Sequence, residues 1–208
     1  YMMQNSSVED TNFGSINSIR VGDKLLDLSK PVVMGILNAT PDSFYEGSRE
    51  ETTSGAIKKA EEMIAFGASI IDVGGYSTRP GADDISIEEE TNRVVPIIEA
   101  IRSSFPNIAI SIDTFRSQVA EAAMLAGASI INDVSGFEID PAIIDVAAKH
   151  NAPYILMHMR GTPQTMQSMT DYENIFKDMS FYFSRKIKQL QDAGVNDILL
   201  DPGFGFAK

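Results

Sequence analysis

Short apolar runs alternate with longer amphipathic stretches along most of this 208-residue chain. The runs lack the apolar–polar alternation of half-exposed strands, so they are typical of parallel strands buried on both faces. They predict six strands, at residues 32–37, 69–73, 108–112, 129–133, 154–157 and 197–200. The pattern therefore predicts an α/β domain in which strands and helices alternate.

The amphipathic stretches predict the helices of this alternation, because their apolar residues recur at helical spacing. They lie at about residues 54–66, 86–101, 140–149 and 172–192. Ser86 and Glu89 form a capping-box pair at the start of the second helix, and Pro96 should kink that helix or mark its early turn. Asp140 precedes a proline, as expected for the N-cap of the third helix.

A weak internal repeat supports a succession of αβ units. Residues 66–72 resemble residues 126–132, and residues 193–201 are a looser third copy. In each copy a glycine is expected to end a helix in a left-handed conformation just before a strand begins. Strict alternation leaves the barrel and the doubly wound sheet as architectures, and the chain has no glycine-rich phosphate loop of the doubly wound type. The barrel is therefore favoured.

The predicted fold is a (β/α)8 TIM barrel with an N-terminal β-hairpin at about residues 16–28, which could plug the bottom of the barrel. Six strands correspond to about six βα units, whereas a closed barrel needs eight. We therefore expect residues 15–208 to form a barrel domain whose last units lie beyond Lys208. The polar residues 1–14 predict a disordered leader.

The composition of the chain argues against several classes of function and of site. With no cysteine, the chain has neither a disulfide framework nor a thiolate metal site, which fits a cytoplasmic protein. A net charge of -12 argues against a general role at nucleic acids or membrane surfaces. Any anionic ligand would have to be held by local donors.

Polar residues stand where the predicted strands end, at the face of a barrel where chemistry takes place. Asp113, Asn132 and Asp201 end the third, fourth and sixth strands. Carboxylates accept hydrogen bonds and an amide both donates and accepts, so these residues suit the edge of an amino-oxo-pyrimidine ring. The alternative is that each only caps a turn or a helix. Asn38 follows the first strand and is a further candidate, with a plain βα loop as the alternative.

Residues in the loops after the strands are further candidates. The loop at 40–49 is long and polar enough for a mobile lid. Arg79 would suit an anionic group, or could be an ordinary surface arginine. Phe44, Phe204 and Phe206 lie near strand ends, and an aromatic ligand is expected to contact at least one of them. We interpret His158 as a packed histidine, with Arg160 facing the mouth of the barrel.

Six motifs together resemble those of the dihydropteroate synthases, a family of pterin-binding TIM barrels. They are MGILNATPDSF at 34–44, DVGGYSTRPGA at 72–82, SIDT at 111–114, INDVSG at 131–136, MHMRGTP at 157–163 and DPGFGF at 201–206. Their order and spacing agree with the family over about residues 16–208. Tyr76 departs from the pattern, because many members have glutamate there, and the family's last motifs would lie beyond Lys208.

The resemblance implies that 6-hydroxymethyl-7,8-dihydropterin pyrophosphate condenses with 4-aminobenzoate to give 7,8-dihydropteroate and pyrophosphate. Pyrophosphate would leave first, and the aniline nitrogen would then attack the cation at the pterin methylene. By the same resemblance Asp113, Asn132 and Asp201 bind the pterin, Asn38 binds Mg²⁺ beside the pyrophosphate, and Arg79 contacts the leaving group. Asn38, Arg79 and Asp113 are thus the expected catalytic residues.

The resemblance also implies the second substrate site, the assembly and the pharmacology. Phe44, Pro80 and Phe206 would be walls of the 4-aminobenzoate site, with Thr78 on the adjoining loop. The family's enzymes are sulfonamide targets and are commonly homodimers.

Two alternatives stay open: a catalytically silent pterin-binding module and a pterin-dependent methyltransferase barrel. The STRPG motif at 77–81 argues against the methyltransferase, because that loop serves a pyrophosphate substrate.

Overall fold

The chain folds as a β-hairpin followed by alternating strands and helices in a computed structural model that describes residues 17–39, 49–77, 84–161, 169–206 and 208. The predicted leader and the loop at 40–48 lie outside the described residues. The elements in chain order are β1 (Ser18–Val21), β2 (Lys24–Asp27), β3 (Val33–Asn38), α1 (Arg49–Ala65), β4 (Ala68–Gly74), α2 (Ile87–Ser104), β5 (Ala109–Asp113), α3 (Ser117–Ala126), β6 (Ile130–Asp133), α4 (Ile143–His150), β7 (Tyr154–Met157), α5 (Ile175–Asp192) and β8 (Ile198–Asp201). None of the described helices has the length and apolar character needed to cross a membrane.

The main sheet confirms the predicted barrel topology. Its six strands are all parallel and lie in the order β3-β4-β5-β6-β7-β8, so each strand pairs with the next one along the chain. A doubly wound sheet would instead reverse its strand order near the middle. The chain thus provides six successive strands of a (β/α)8 barrel. Val33 and Ile36 on one edge strand and Leu200 on the other are exposed.

The predicted strands are confirmed to within a residue, whereas the helices differ in several places. Helix α3 was not predicted, α2 continues beyond the predicted end to Ser104, and α5 begins only at Ile175. Helix α1 begins at Arg49, several residues before the predicted start. Pro96 lies in the middle of α2, so the prediction that it marks an early turn is wrong. The N-cap of α4 is Ala142 and not Asp140, whose carboxylate accepts hydrogen bonds from the backbone N–H groups of Ala142 (3.2 Å) and Ser117 (2.7 Å). Asp140 therefore links the start of α4 to the start of α3.

The local signals that repeat along the chain behave as predicted. Gly67, Gly127 and Gly194 have φ angles of 100°, 116° and 95°, the left-handed conformation that ends a helix at low steric cost. At the start of α2, the Ser86 side chain accepts a hydrogen bond from the Glu89 backbone N–H at 3.0 Å, which confirms the Ser86 half of the predicted capping box. The Glu89 carboxylate accepts instead from Arg93, one turn further along the helix. Each signal is local, which is why it could be recognised without knowledge of the tertiary structure.

The N-terminal hairpin closes the bottom of the barrel, as predicted. The inner side chains at the lower ends of the strands pack against one another and against Val21 and Leu26 of the hairpin; they are Ile70, Ala109, Ile130 and Ile155. The Arg20 backbone N–H donates to the Asp197 carboxylate at 2.7 Å, and Lys24 donates to the Asn107 side chain. The upper end of the barrel is the end that these contacts leave open.

Asp133, at the end of β6, is a buried hydrogen-bonding centre on the outer face of the sheet. Its carboxylate accepts hydrogen bonds from the backbone N–H groups of Ser135 and Phe137 and from the Tyr154 hydroxyl. Asp133 and Tyr154 are both fully buried. Burial raises the pKa of Asp133, although these hydrogen bonds oppose the shift. The centre fixes the turn that follows β6.

We expect Tyr154→Phe to lower the free energy of unfolding by about 1–2 kcal/mol, because it leaves a buried carboxylate with one donor fewer. Urea denaturation followed by circular dichroism at pH 7 measures this change. An unchanged midpoint would contradict the conclusion that this hydrogen bond stabilises the turn after β6.

Candidate active site

The strand register places three predicted site residues and one glycine side by side in a row at the upper end of the barrel. Asn38 pairs with Gly74, Gly74 pairs with Asp113, and Asp113 pairs with Asn132. Residues two apart along each strand share a face, and Ile70 and Ile130 face the barrel interior, so these residues face inward as well. The structure therefore brings together residues that lie nearly a hundred positions apart in sequence.

Glycine at position 74 makes room for the Asp113 carboxylate. A Cβ atom placed on Gly74 would lie 3.2 Å from Oδ2 of Asp113, closer than nearly all ordinary contacts. A side chain there would require the Asp113 carboxylate to shift by a few tenths of an ångström. The glycine at position 74 of this motif is therefore explained by the space that Asp113 needs on the neighbouring strand.

Asp72 is a site residue that the sequence interpretation missed. Its side chain is only 3% exposed, and Oδ2 accepts a hydrogen bond from Nδ2 of Asn132 at 3.0 Å. Ser111 is the register partner of Asp72 on β5, and its side chain opposes the rise of the Asp72 pKa. Among the described residues, neither Oδ1 of Asp72 nor the Ser111 hydroxyl has a hydrogen-bond partner of normal geometry. The sequence did contain one signal, because Asp72 is two residues from Ile70 and therefore shares its face of the strand. The sequence of a single strand does not show which of its two faces points into the barrel, so this signal was not sufficient.

The carboxylates of the site are electrostatically crowded. Burial raises the pKa of Asp113 well above its ordinary value, and the charges of Asp72, Glu90 and Asp133 raise it further. Burial also raises the pKa of Asp72, and the hydrogen bond from Asn132 opposes that shift. Among the described residues, none donates a hydrogen bond to Asp113. Its carboxylate is therefore the group in this row that gains most from a cationic or N–H-donating ligand.

Asp201 lies at the same end of the barrel but two strands away from Asn132. It pairs with Met157 across β7 and β8, and its carboxylate accepts a hydrogen bond from the Gly203 backbone N–H at 2.7 Å. The Lys208 ammonium donates to three backbone carbonyl oxygens, those of His158 (2.9 Å), Gly203 (3.1 Å) and Phe206 (2.7 Å). These bonds fix the turn that carries Asp201 and Phe206.

An apolar wall adjoins the polar row. Its buried members are Phe115, Val134 and Met157, and Tyr76, Met159 and Phe206 pack against them. Of these, Phe206 was the predicted site residue. The others were missed, because an apolar residue beyond a strand end looks like any core residue in sequence. Phe204 is 83% exposed, so it is not part of this wall.

His158 is a packed histidine, as interpreted. It is 4% exposed, and its ring meets those of Tyr182 and Phe183 at centroid distances of 4.8 and 6.1 Å. Burial lowers the pKa of His158, which favours the neutral ring. Arg160 lies over the Tyr172 ring at 4.8 Å and donates to the backbone carbonyl of Asp171.

Four predicted site residues lie outside the described residues: Phe44, Thr78, Arg79 and Pro80. Asn38 is described, and it is exposed at the upper end of β3. Within the described part of the chain, no three His, Cys, Asp or Glu side chains gather as a metal cage.

We expect Asp113→Asn to raise the free energy of unfolding at pH 7 by about 1 kcal/mol or more. The folded state holds the Asp113 proton more tightly than the unfolded chain does. Ionisation of Asp113 therefore costs stability as the pH rises from the ordinary carboxyl pKa to the raised one, and asparagine avoids that cost.

Denaturation curves recorded over a range of pH test this expectation. The gain in stability should shrink as the pH falls toward 3.8, the ordinary pKa of an aspartate. A variant that is less stable than the original protein at pH 7 would contradict the assignment of Asp113 as a half-buried acid that destabilises the fold.

Comparison with protein families gives one match over most of the chain. Residues 34–208 match the family described as pterin binding enzyme. The chain is 50% identical over 191 residues to the dihydropteroate synthase of Synechocystis, covering 90% of this chain and 66% of that protein. It is 47% identical over 185 residues to the Escherichia coli dihydropteroate synthase, covering 88% and 65%. The chain thus spans slightly less than two thirds of the length of these curated relatives.

Solved structures agree with this family and fold. The dihydropteroate synthase of Yersinia pestis in complex with a sulfonamide drug superposes with a TM-score of 0.83 at 42% identity, covering 92% of this chain and 70% of that one. The Xanthomonas albilineans enzyme with 4-aminobenzoic acid gives a TM-score of 0.83 at 36% identity, covering 92% and 68%. The Burkholderia cenocepacia enzyme complexed with 7,8-dihydropteroate gives 0.78 at 42% identity, covering 92% and 65%.

Proposed function

The chain belongs to the family of pterin-binding enzymes, with dihydropteroate synthases as its relatives, and on that basis we propose that it catalyses dihydropteroate synthesis. The substrates are 6-hydroxymethyl-7,8-dihydropterin pyrophosphate and 4-aminobenzoate, and the products are 7,8-dihydropteroate and pyrophosphate. The observation that carries the proposal is the row of Gly74, Asp113 and Asn132 beside an apolar wall.

The polar row suits the amino-oxo edge of a pterin. That edge presents N–H donors beside a carbonyl acceptor, and the Asp113 carboxylate is free to accept from such donors. The hydrogen bond from Nδ2 of Asn132 to Asp72 leaves Oδ1 of Asn132 as an acceptor for the ligand. Asp201 supplies a further carboxylate from the end of β8. Two or three acceptors on one side of the barrel match a ring edge rich in donors.

The apolar wall suits the flat faces of the same ring. Val134 follows Asn132 closely in the chain, and Met157 is the partner of Asp201 across the sheet. These apolar side chains therefore lie beside the polar residues that would bind the ring edge. Burial of a bicyclic ring against them adds hydrophobic stabilisation to the hydrogen bonds.

The reaction breaks the bond between the pterin methylene carbon and the pyrophosphate oxygen and then forms a carbon–nitrogen bond. Pyrophosphate leaves with the bonding electrons, so positive charge develops on the pterin methylene. The crowded carboxylates of Asp113 and Asp72 favour a cation nearby, because a positive charge relieves their mutual repulsion. The aniline nitrogen then attacks the methylene carbon and loses a proton.

Charge on the departing pyrophosphate is neutralised at the loops. We assign this role to Arg79, with Thr78 beside it, and assign Asn38 as the protein ligand of Mg²⁺. When bound, the metal would neutralise charge on the phosphate oxygens. An exposed amide oxygen at the end of β3 fits an ion that keeps substrate oxygens and water in its coordination sphere.

The 4-aminobenzoate site is proposed at Phe206, together with Phe44, Thr78 and Pro80. Phe206 packs against the apolar wall, and Lys208 holds its backbone carbonyl. An aryl amine placed there would lie next to the pterin methylene. The complex of the Xanthomonas enzyme with 4-aminobenzoic acid supports this choice of second substrate.

We further propose a homodimer in the cytoplasm, by analogy with the family. Light scattering on the purified full-length protein tests the dimer. A mass of one protomer over the micromolar range would overturn it.

The defining test is release of pyrophosphate by the full-length protein. We expect release only when the pterin pyrophosphate, 4-aminobenzoate and Mg²⁺ are all present, and we expect EDTA to abolish it. Arg79→Ala should slow turnover by about 100-fold while changing the pterin Kd little, because its charge acts mainly in the transition state. Pterin binding without any product would favour the silent module.

Binding measurements separate the pterin site from the chemistry. By calorimetry with 6-hydroxymethylpterin, Asp113→Ala and Asn132→Ala should each raise the Kd at least tenfold, since about 1.4 kcal/mol is lost with one charged or buried hydrogen bond. Asp145→Ala, an exposed carboxylate on α4, is the matched control. Unchanged Kd values in the first two variants would refute the placement of the pterin.

A further inference from the structure

A buried glutamate lies on the outer face of the barrel, directly behind the site. Glu90 in the first turns of α2 is fully buried. Its Oε1 accepts a hydrogen bond from the Thr114 hydroxyl at 2.7 Å, and its Oε2 accepts one from Nη1 of Arg116 at 2.8 Å. Both carboxylate oxygens are therefore used, and both partners come from the residues that immediately follow β5.

Arg116 is fixed from several sides. Its second terminal nitrogen donates to Asp84 at 3.1 Å, and its guanidinium carbon lies 5.1 Å from the Tyr76 ring centre and 5.3 Å from that of Phe115. Those two rings meet edge to face at 5.1 Å. A guanidinium held this way neutralises Glu90 and leaves it little freedom to move.

Two successive glycines accommodate groups on opposite faces of the sheet. A Cβ on Gly74 would lie 3.2 Å from the Asp113 carboxylate inside the barrel, and a Cβ on Gly75 would lie 3.1 Å from Cγ of Glu90 and 2.7 Å from Val94. The same short segment thus gives space to Asp113 on the inside and to Glu90 on the outside.

Consecutive residues of a strand point to opposite faces, so the Thr114 side chain lies outside the barrel and the Asp113 side chain inside it. Because the two residues are adjacent in the chain, the position of one backbone restricts the other. The Thr114 backbone N–H donates to the Asn132 carbonyl at 3.1 Å, and the Thr114 hydroxyl is held by Glu90. Fixing Thr114 on the outer face therefore fixes the backbone that directs Asp113 inward.

We propose that Glu90, acting through Thr114 and neutralised by Arg116, is a positioning residue that holds the Asp113 carboxylate in place for the pterin. The proposal rests on the proposed function, because it assumes that Asp113 contacts the pterin. A purely structural role, in which Glu90 only attaches α2 to the sheet, is the competing account.

The test uses Thr114→Val and Glu90→Gln in the full-length protein, with Thr114→Ser as the rescue. Valine keeps the shape of threonine and loses the hydroxyl, whereas serine keeps the hydroxyl. Thr91→Val and Glu88→Gln are matched controls on the same helix, since the Thr91 hydroxyl bonds only within α2 and Glu88 is exposed. The probe is 6-hydroxymethylpterin, and Kd is measured at least 15 °C below the melting temperature, roughly where two-state unfolding is negligible.

We expect Thr114→Val and Glu90→Gln to raise the pterin Kd about tenfold, with Thr114→Ser and both controls within about twofold of the original. Carbon-13 NMR of the Asp113 carboxyl gives a readout that needs no ligand. Because Asp72, Glu90 and Asp133 all raise the pKa of Asp113, loss of the Glu90 charge in Glu90→Gln should lower it. If Glu90→Gln does not fold, the Thr114→Val and Thr114→Ser pair decides.

A lower melting temperature with unchanged pterin Kd and unchanged Asp113 titration would overturn the positioning role and favour the structural account. That result is distinct from failure of the proposed function, in which the original protein itself forms no dihydropteroate. In that case the Asp113 titration in Thr114→Val, which removes a hydroxyl and no charge, still decides whether the bond between Glu90 and Thr114 acts on Asp113.

Discussion

Crowding of buried carboxylates around strands β4 to β6 is the constraint on which the rest of the site depends. Four acidic side chains share this small region, and each loses hydration on folding. The four carboxylates differ in the hydrogen-bond donors that replace this lost hydration. Asp133 has three donors, Glu90 has a hydroxyl and a guanidinium, and Asp72 has the Asn132 amide. Asp113 has no donor among the described residues, so its hydrogen-bonding capacity is left for a ligand.

The strands separate these acids by face. Asp72 and Asp113 point into the barrel, whereas Asp133 and Glu90 lie in the outer layer with the helices. Outer acids are paired and fix the turns after β5 and β6. Inner acids are underpaired and remain available for chemistry. A parallel barrel makes this division possible, because the side chains of each strand alternate between a packed outer layer and an open inner end.

This arrangement lowers the stability of the folded state and leaves carboxylates that can bind a ligand. An unpaired acid with a raised pKa destabilises the folded state once it ionises, and the same ionised acid binds N–H donors and favours a developing cation. The bottom of the barrel shows no such compromise, because it is closed by the hairpin and by aliphatic side chains. The contacts that stabilise the fold and the proposed site therefore lie at opposite ends of the same strands.

Much of this protein was determined by signals that operate over a few residues. Apolar runs defined the six strands, the glycines at 67, 127 and 194 defined helix ends, and the Ser86 cap defined the start of α2. Strand-end polarity predicted Asp113 and Asn132 as site residues, which the register places side by side, and the motifs identified the family. These features were readable because backbone sterics, capping and side-chain periodicity act locally.

Only the tertiary structure decided which side chains meet. Register across separate strands placed Asp72 against Asn132 and Gly74 against Asp113, and no local pattern contains that information. Glu90 stands in an acidic first turn beside exposed glutamates, and only the packing of α2 shows that it is buried against Thr114 and Arg116. The energies of buried charges depend on neighbours that are distant in sequence, so the electrostatics of the site could be known only once the chain was folded.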